Sequence, residues 1–134
     1  MARRWVILMS CLGVASSAWA HHAFDSEFDK SQAVKLVGVV QKVVWINPHV
    51  YVYLDVKAAD GAITTWSIET FPPAFWRKVG VTKAQIFNDG QTVTVLANPG
   101  KRDPSRHLAF LQRMTRPDGT FIQAEGFVAQ PTEQ

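Results

Sequence analysis

The stretch Trp45-Ile46-Asn47-Pro48-His49-Val50-Tyr51-Val52-Tyr53-Leu54-Asp55-Val56 decides the fold. From Val50 onward it alternates strictly. Val50, Val52, Leu54 and Val56 share one face of an extended chain, and Tyr51, Tyr53, Asp55 and Lys57 share the other. This predicts a half-buried strand over Val50 to Lys57. Pro48 fixes φ and offers no N–H to a ladder, so a corner falls at Asn47-Pro48 and the preceding strand ends there. His49 then sits at a strand's first position, polar and reachable, at the mouth of whatever the strands enclose.

Upstream of the corner, Val34 to Ile46 predicts a long first strand whose apolar phase changes midway. Val34, Leu36 and Val40 share one parity, and Val37, Val39, Val43 and Trp45 share the other, with Gly38 near the change. A strand that switches faces at a glycine is expected to bend and serve two sides of a small barrel. Downstream, the turn Ala59-Asp60-Gly61-Ala62 closes a hairpin onto a third strand, Ile63 to Thr70, with Trp66 and Ile68 on its core face. Pro72-Pro73 suits a helix's first turn, and Gly80 suits its end. Thr82-Lys83-Ala84-Gln85 fits a capping box for a second short turn ending at Asn88-Asp89-Gly90.

Gln91 to Ala97 reads as a fourth strand, Asn98 to Arg106 as a loop, and Leu108 to Thr115 as a fifth strand. Arg116-Pro117-Asp118-Gly119 turns the chain into a sixth, Thr120 to Gly126. The order of three strands, a helix and two more strands is that of an oligonucleotide/oligosaccharide-binding (OB) barrel, here extended by one hairpin strand. The fold class expected is therefore mainly β: a small OB-like barrel of five to six strands, with one short helical segment between strands three and four. An open sheet with a covering helix is the alternative.

The 134 residues suffice for one domain with a modest core. Arg3 and Arg4, an apolar run from Trp5 to Val14, and Ala18-Trp19-Ala20 have the form of a secretory signal cut after Ala20. Twin-arginine export is a weaker fit, and Cys11 is in a poor context for lipidation. No later stretch approaches the roughly 18 apolar residues of a spanning helix. The expected plan is a signal peptide over 1–20, an N-terminal arm over 21–33, the barrel over 34–127 and a flexible tail over 128–134, with a periplasmic destination.

Cleavage would lower Lys+Arg from 14 to 12 against 11 Asp+Glu, a net charge of +1. Charge and compartment both argue against a nucleic-acid partner. The single cysteine would leave with the signal, so no disulfide, thiol nucleophile or Cys ligand is expected. No nucleophile elbow or phosphate-cradling glycine loop is present, and Asp55 and Glu69 read as a charged outer face pairing with Lys57 or Arg113. The chain reads as a binding or accessory protein, not an enzyme.

Histidine carries the one chemical pattern. In an OB barrel the loops between strands one and two and between strands four and five flank one face, and here they end at His49 and His107. Cleavage after Ala20 would also free His21 as the first residue. Its amine and ring would form a chelate that favours Cu(II), with His22 and His49 as further ligands. The arm from His21 to Ala33 can span up to roughly 40 Å, so reach does not exclude it. The plain readings are a capped turn residue for His49, a solvated loop residue for His107, and an incidental pair at a new terminus.

The aromatics form a second pattern. Tyr51 and Tyr53, with Trp45 and Asn47 beside them, are candidates for a metal-free site that stacks a sugar or planar small molecule. Pro72-Pro73-Ala74-Phe75-Trp76 is a candidate surface for a periplasmic protein partner.

His21-His22-Ala23-Phe24 after the signal, Gly38-Val39-Val40, Trp45-Ile46-Asn47-Pro48-His49 and the Asp60-Gly61 turn together resemble an uncharacterised family of small exported proteobacterial proteins. Its members share a His-His-Ser/Ala-Phe mature start and an Asn-Pro-His corner. The resemblance spans the mature domain and implies a single exported domain. It brings no activity, and it makes His21, His22 and His49 part of a pattern that His107 does not share.

Overall fold

The computed structural model describes residues 25–86 and 90–124. Along the chain run β1 (Val34–Trp45), β2 (Val50–Lys57), β3 (Ile63–Thr70), α1 (Pro73–Lys78), α2 (Lys83–Ile86), β4 (Thr92–Pro99), a 3-10 turn (Pro104–Arg106), β5 (Leu108–Thr115) and β6 (Phe121–Gln123). β1 pairs antiparallel with both β2 and β4, β2 with β3, and β4 with β5. A parallel seam, Ser67↔Leu108, Ile68↔Ala109 and Glu69↔Phe110, joins β3 to β5. That seam closes the circuit β1-β2-β3-β5-β4, the OB order, and leaves β6 as an outer strand on β5. The open-sheet alternative is thereby removed.

The phase change in β1 is a bulge. Val40 faces Leu54 and Lys42 faces Tyr53, which leaves Gln41 as the extra residue. One inserted residue turns every following side chain to the other face, so Val40 and Val43 are both buried despite opposite parity. The sequence placed this bend at Gly38, three residues too early. Gly38 serves a different need. A Cβ there would lie 2.3 Å from the Asp55 carbonyl oxygen, so only glycine lets β2 approach this closely.

Inside the barrel, Val50, Val52 and Leu54 of β2 meet Ile68 of β3, Val93 and Val95 of β4, and Leu111 and Met114 of β5. The segment after β3 closes one end. Pro73 occupies the first turn of α1, and Trp76, 0 % exposed, packs into the core. Pro73 and Trp76 are thus core residues, while Phe75 is half-buried against Phe71 at 4.3 Å between ring centroids. Little of the segment considered for partner docking remains on the surface. The capping box forms as read: Thr82 N–H donates to Gln85 Oε1 (2.7 Å), and Gln85 N–H donates to Thr82 Oγ1 (3.4 Å). Its expected end at Asn88-Asp89 lies outside the described residues.

β4 runs to Pro99, past the expected end at Ala97, because Asn98 and Pro99 still pair with Phe110 and Ala109. The stretch beyond it, read as a plain loop, contains a 3-10 turn. Asp103 Oδ1 accepts from Ser105 N–H (3.0 Å) and opens that turn at Pro104.

The arm is tied to this side of the barrel. Asp29 N–H donates to the Pro99 carbonyl (2.8 Å), and Lys101 N–H donates to the Glu27 carbonyl (2.8 Å). The buried Asn98 side chain donates to the carbonyls of Asp29 (3.2 Å) and Gln32 (2.8 Å). Between these bonds Phe28, 1 % exposed, sets its ring 5.4 Å from that of Phe110. Two large aromatics, Phe24 and Phe28, are the anchors the sequence offers for the arm, and Phe28 is one. Phe24, the expected signal peptide and the tail lie outside the described residues. The sixth strand, expected over Thr120 to Gly126, is described as Phe121–Gln123.

Candidate binding cleft

Hairpin geometry builds the site. Residues placed symmetrically about Asp60 face one another, so Tyr51 lies opposite Glu69 and Tyr53 opposite Ser67 on the outer face of β2 and β3. The corner, whose Asn47-Pro48 peptide is cis, puts His49 at the head of this face. The loop entering β5 adds Arg106 and Leu108, and the docked arm adds Glu27. With Pro48 these residues line a cleft of about 410 Å³. It occupies the face of strands two and three between the two loops that OB barrels use for ligands.

Nδ1 of His49 hydrogen-bonds Oε1 of Glu69. The two partners differ in exposure: the His49 side chain is 39 % exposed and that of Glu69 is 11 % exposed. Burial holds the Glu69 carboxyl above its ordinary value of 4.5, and the neighbouring Glu27 charge adds to the rise. The His49 ring and, less strongly, the neighbouring Tyr51 hydroxyl pull it back. Tyr51 is likewise raised above 10.0, first by burial and then by the charges of Glu69 and Glu27.

These shifts set a pH dependence. A carboxyl whose folded pKa is raised contributes stability that is present below its unfolded pKa and is lost as pH rises through the folded value. Glu69→Gln cannot ionise. It is therefore expected to gain thermal stability relative to the natural chain as pH climbs from about 4 towards neutrality. A thermal-midpoint difference that runs the other way across that range contradicts burial as the dominant influence on Glu69.

Of the residues singled out by sequence, His49, Tyr51 and Tyr53 come together in the cleft. Trp45 packs half-buried against the core and Asn47 is exposed at the corner; neither lines the cleft. His107 lies apart from it, with its ring 5.3 Å from that of Trp66 and its carbonyl accepting from Ser67 N–H at 2.9 Å. His21 and His22 lie outside the described residues.

Sequence reading missed Glu69, Glu27, Ser67 and Arg106. Glu69 bonds His49 and stands opposite Tyr51 rather than pairing with Lys57 or Arg113, and Asp55 accepts from Thr65 Oγ1 (2.6 Å). The hairpin register about Asp60 could have revealed Glu69 and Ser67. No sequence signal pointed to Glu27 or Arg106. Among the described residues no group of three or more His, Cys, Asp or Glu side chains is placed to hold a metal ion. Of the proposed ligands outside the described residues, His21 is six positions from Glu27, a reach of up to roughly 20 Å.

A closed five-stranded OB-like barrel, carrying a polar and aromatic cleft on the face of β2 and β3, defines the class of molecule. Residues 8–109 match a family of unknown function, DUF6152, and the chain belongs to that family. No match is found among curated proteins or among solved structures. No helix among the described residues is long and apolar enough to cross a membrane.

Proposed function

We propose that this is an exported, periplasmic binding protein that holds a copper-class ion at the cleft, with no catalytic role. The His21 amine and ring, His22 and His49 are its ligands. One observation carries this reading: Glu27 of the N-terminal arm lines the same cleft as His49, so the arm is docked beside the corner it would have to reach. Neutral imidazole and a chelating terminal amine are the donors that Cu(II) favours. A second reading has its own support, since Tyr51 and Tyr53 both line the cleft. In it a metal-free small molecule, a sugar or a planar ring, stacks on the two tyrosines.

Calorimetric titration of Cu(II) and Zn(II) into protein isolated from the periplasm, with its start at His21 verified by mass spectrometry, separates the two. The expected result is tight, one-to-one Cu(II) binding that is lost in His49→Ala and lost when an extra residue precedes His21. Weak binding indifferent to His49 overturns the metal reading. The tyrosine site then becomes the working function, and the double change Tyr51→Ala, Tyr53→Ala is expected to abolish ligand binding.

A further inference from the structure

We infer that Glu69 is a positioning residue: by binding Nδ1 of His49 it fixes the ring and its tautomer, so that Nε2 is the electron-pair donor the cleft presents to its ligand. This deepens the proposed metal reading and rests on it for the ligand's identity, but the tautomer itself depends only on residues of the barrel. At a pH where Glu69 is ionised its carboxylate has acceptor positions alone, so the ring nitrogen it bonds, Nδ1, carries the proton. Tyr51 stands directly opposite Glu69 in the β2–β3 ladder, and its hydroxyl lowers the pKa of the same carboxyl. With Nδ1–H committed to Glu69, a neutral His49 ring keeps its lone pair on Nε2.

Exposure divides the labour in the same direction. The carboxylate is the buried member of the pair and the ring is the reachable one. The register explains why the pair is rigid. Glu69 is held in β3 by its antiparallel partner Tyr51 on one side and its parallel partner Phe110 on the other. His49 is fixed next to Val50, whose N–H donates to the Phe71 carbonyl at 3.3 Å. A carboxylate behind an imidazole is the arrangement that orients histidine ligands and raises their basicity in metal sites generally. The class of ligand follows: a Lewis acid, or a group that donates a hydrogen bond, facing Nε2.

The test is the tautomer of His49 in the metal-free protein, read from nitrogen chemical shifts of the ring at a pH where it is neutral. The Nδ1–H form is expected, against the Nε2–H form that a free imidazole prefers. In Glu69→Met, which keeps the bulk and removes the acceptor, the ring is expected to revert. In Tyr51→Phe it is expected to stay. A natural chain with His49 in the Nε2–H form overturns the inference, and so does a folded Glu69→Met variant that keeps Nδ1–H. Should Glu69→Met fail to fold, the spectrum of the natural chain decides alone. Added Cu(II) then distinguishes the two levels of the account. Affinity reduced about 10–100-fold in Glu69→Met supports both. A natural chain with the Nδ1–H ring and no Cu(II) binding removes the metal reading and leaves the positioning role intact.

Discussion

Phe28→Ala is expected to remove about 3–5 kcal/mol of folding stability and to loosen the cleft at the same time. The ring of Phe28 is enclosed between the arm and β5, against Phe110, which in turn meets Phe71 edge-on at 5.4 Å. The arm would still be held by bonds that include Asp29 to Pro99, Lys101 to Glu27, the Lys101 ammonium to the Asp25 carbonyl (2.7 Å) and the Asn98 amide. Hydrogen bonds of this kind contribute about 0.5–1.5 kcal/mol each, less than the ring they flank. Glu27 is therefore expected to leave the cleft wall more often. On the proposed copper reading, the N-terminal histidines would then lose effective concentration at His49. Denaturant unfolding measures the first effect, and Cu(II) calorimetry on the same variant measures the second. A stability loss under about 1 kcal/mol would mean the arm contributes little to the domain.

Trp76→Ala is expected to cost as much, about 3–5 kcal/mol, for a different reason. Trp76 is fully buried in the core, with the Phe75 ring edge-on to it at 5.1 Å, so truncation leaves a cavity the size of an indole. For a domain of this size such a loss lowers the thermal midpoint by well over 10 °C. Trp76→Phe is expected to cost clearly less. The indole Nε1 has no hydrogen-bond partner among the described residues, so its removal sacrifices area but no bond. Equal losses for the two variants would show that the indole nitrogen is bonded after all. Both variants lie away from the cleft, and the His49 tautomer should be unchanged in each.

What could be read from the sequence divides along physical lines. β2, β3 and β5 were legible to the residue, because strict alternation bounded by Asp60-Gly61 and Pro117-Asp118-Gly119 leaves one register. The Thr82–Gln85 capping box was legible because it is local. The bend in β1 was visible as a phase change, but its place was not: Gly38 attracted it, whereas the bulge falls at Gln41 and the glycine answers to the Asp55 carbonyl. Strand parity also put Tyr51, Tyr53 and Glu69 on one outer face. It could not say that His49 would bond Glu69 there, since that contact joins residues twenty positions apart across the β2–β3 hairpin. Parity likewise says nothing of Glu27 and Arg106, which loop and arm geometry bring in. Trp45, Trp66 and Trp76 looked alike as aromatics, yet only tertiary closure decides which one plugs the barrel.

The most direct test of the account is the pattern of amide signals lost when a small fraction of an equivalent of Cu(II) is added to isotope-labelled protein beginning at His21. Paramagnetic loss is predicted to centre on the cleft, at His49, Tyr51, Glu69 and Glu27, as well as on the first residues of the arm. Loss confined to residues before Asp25, with the cleft signals untouched, would contradict a shared site and leave the copper with the terminus alone.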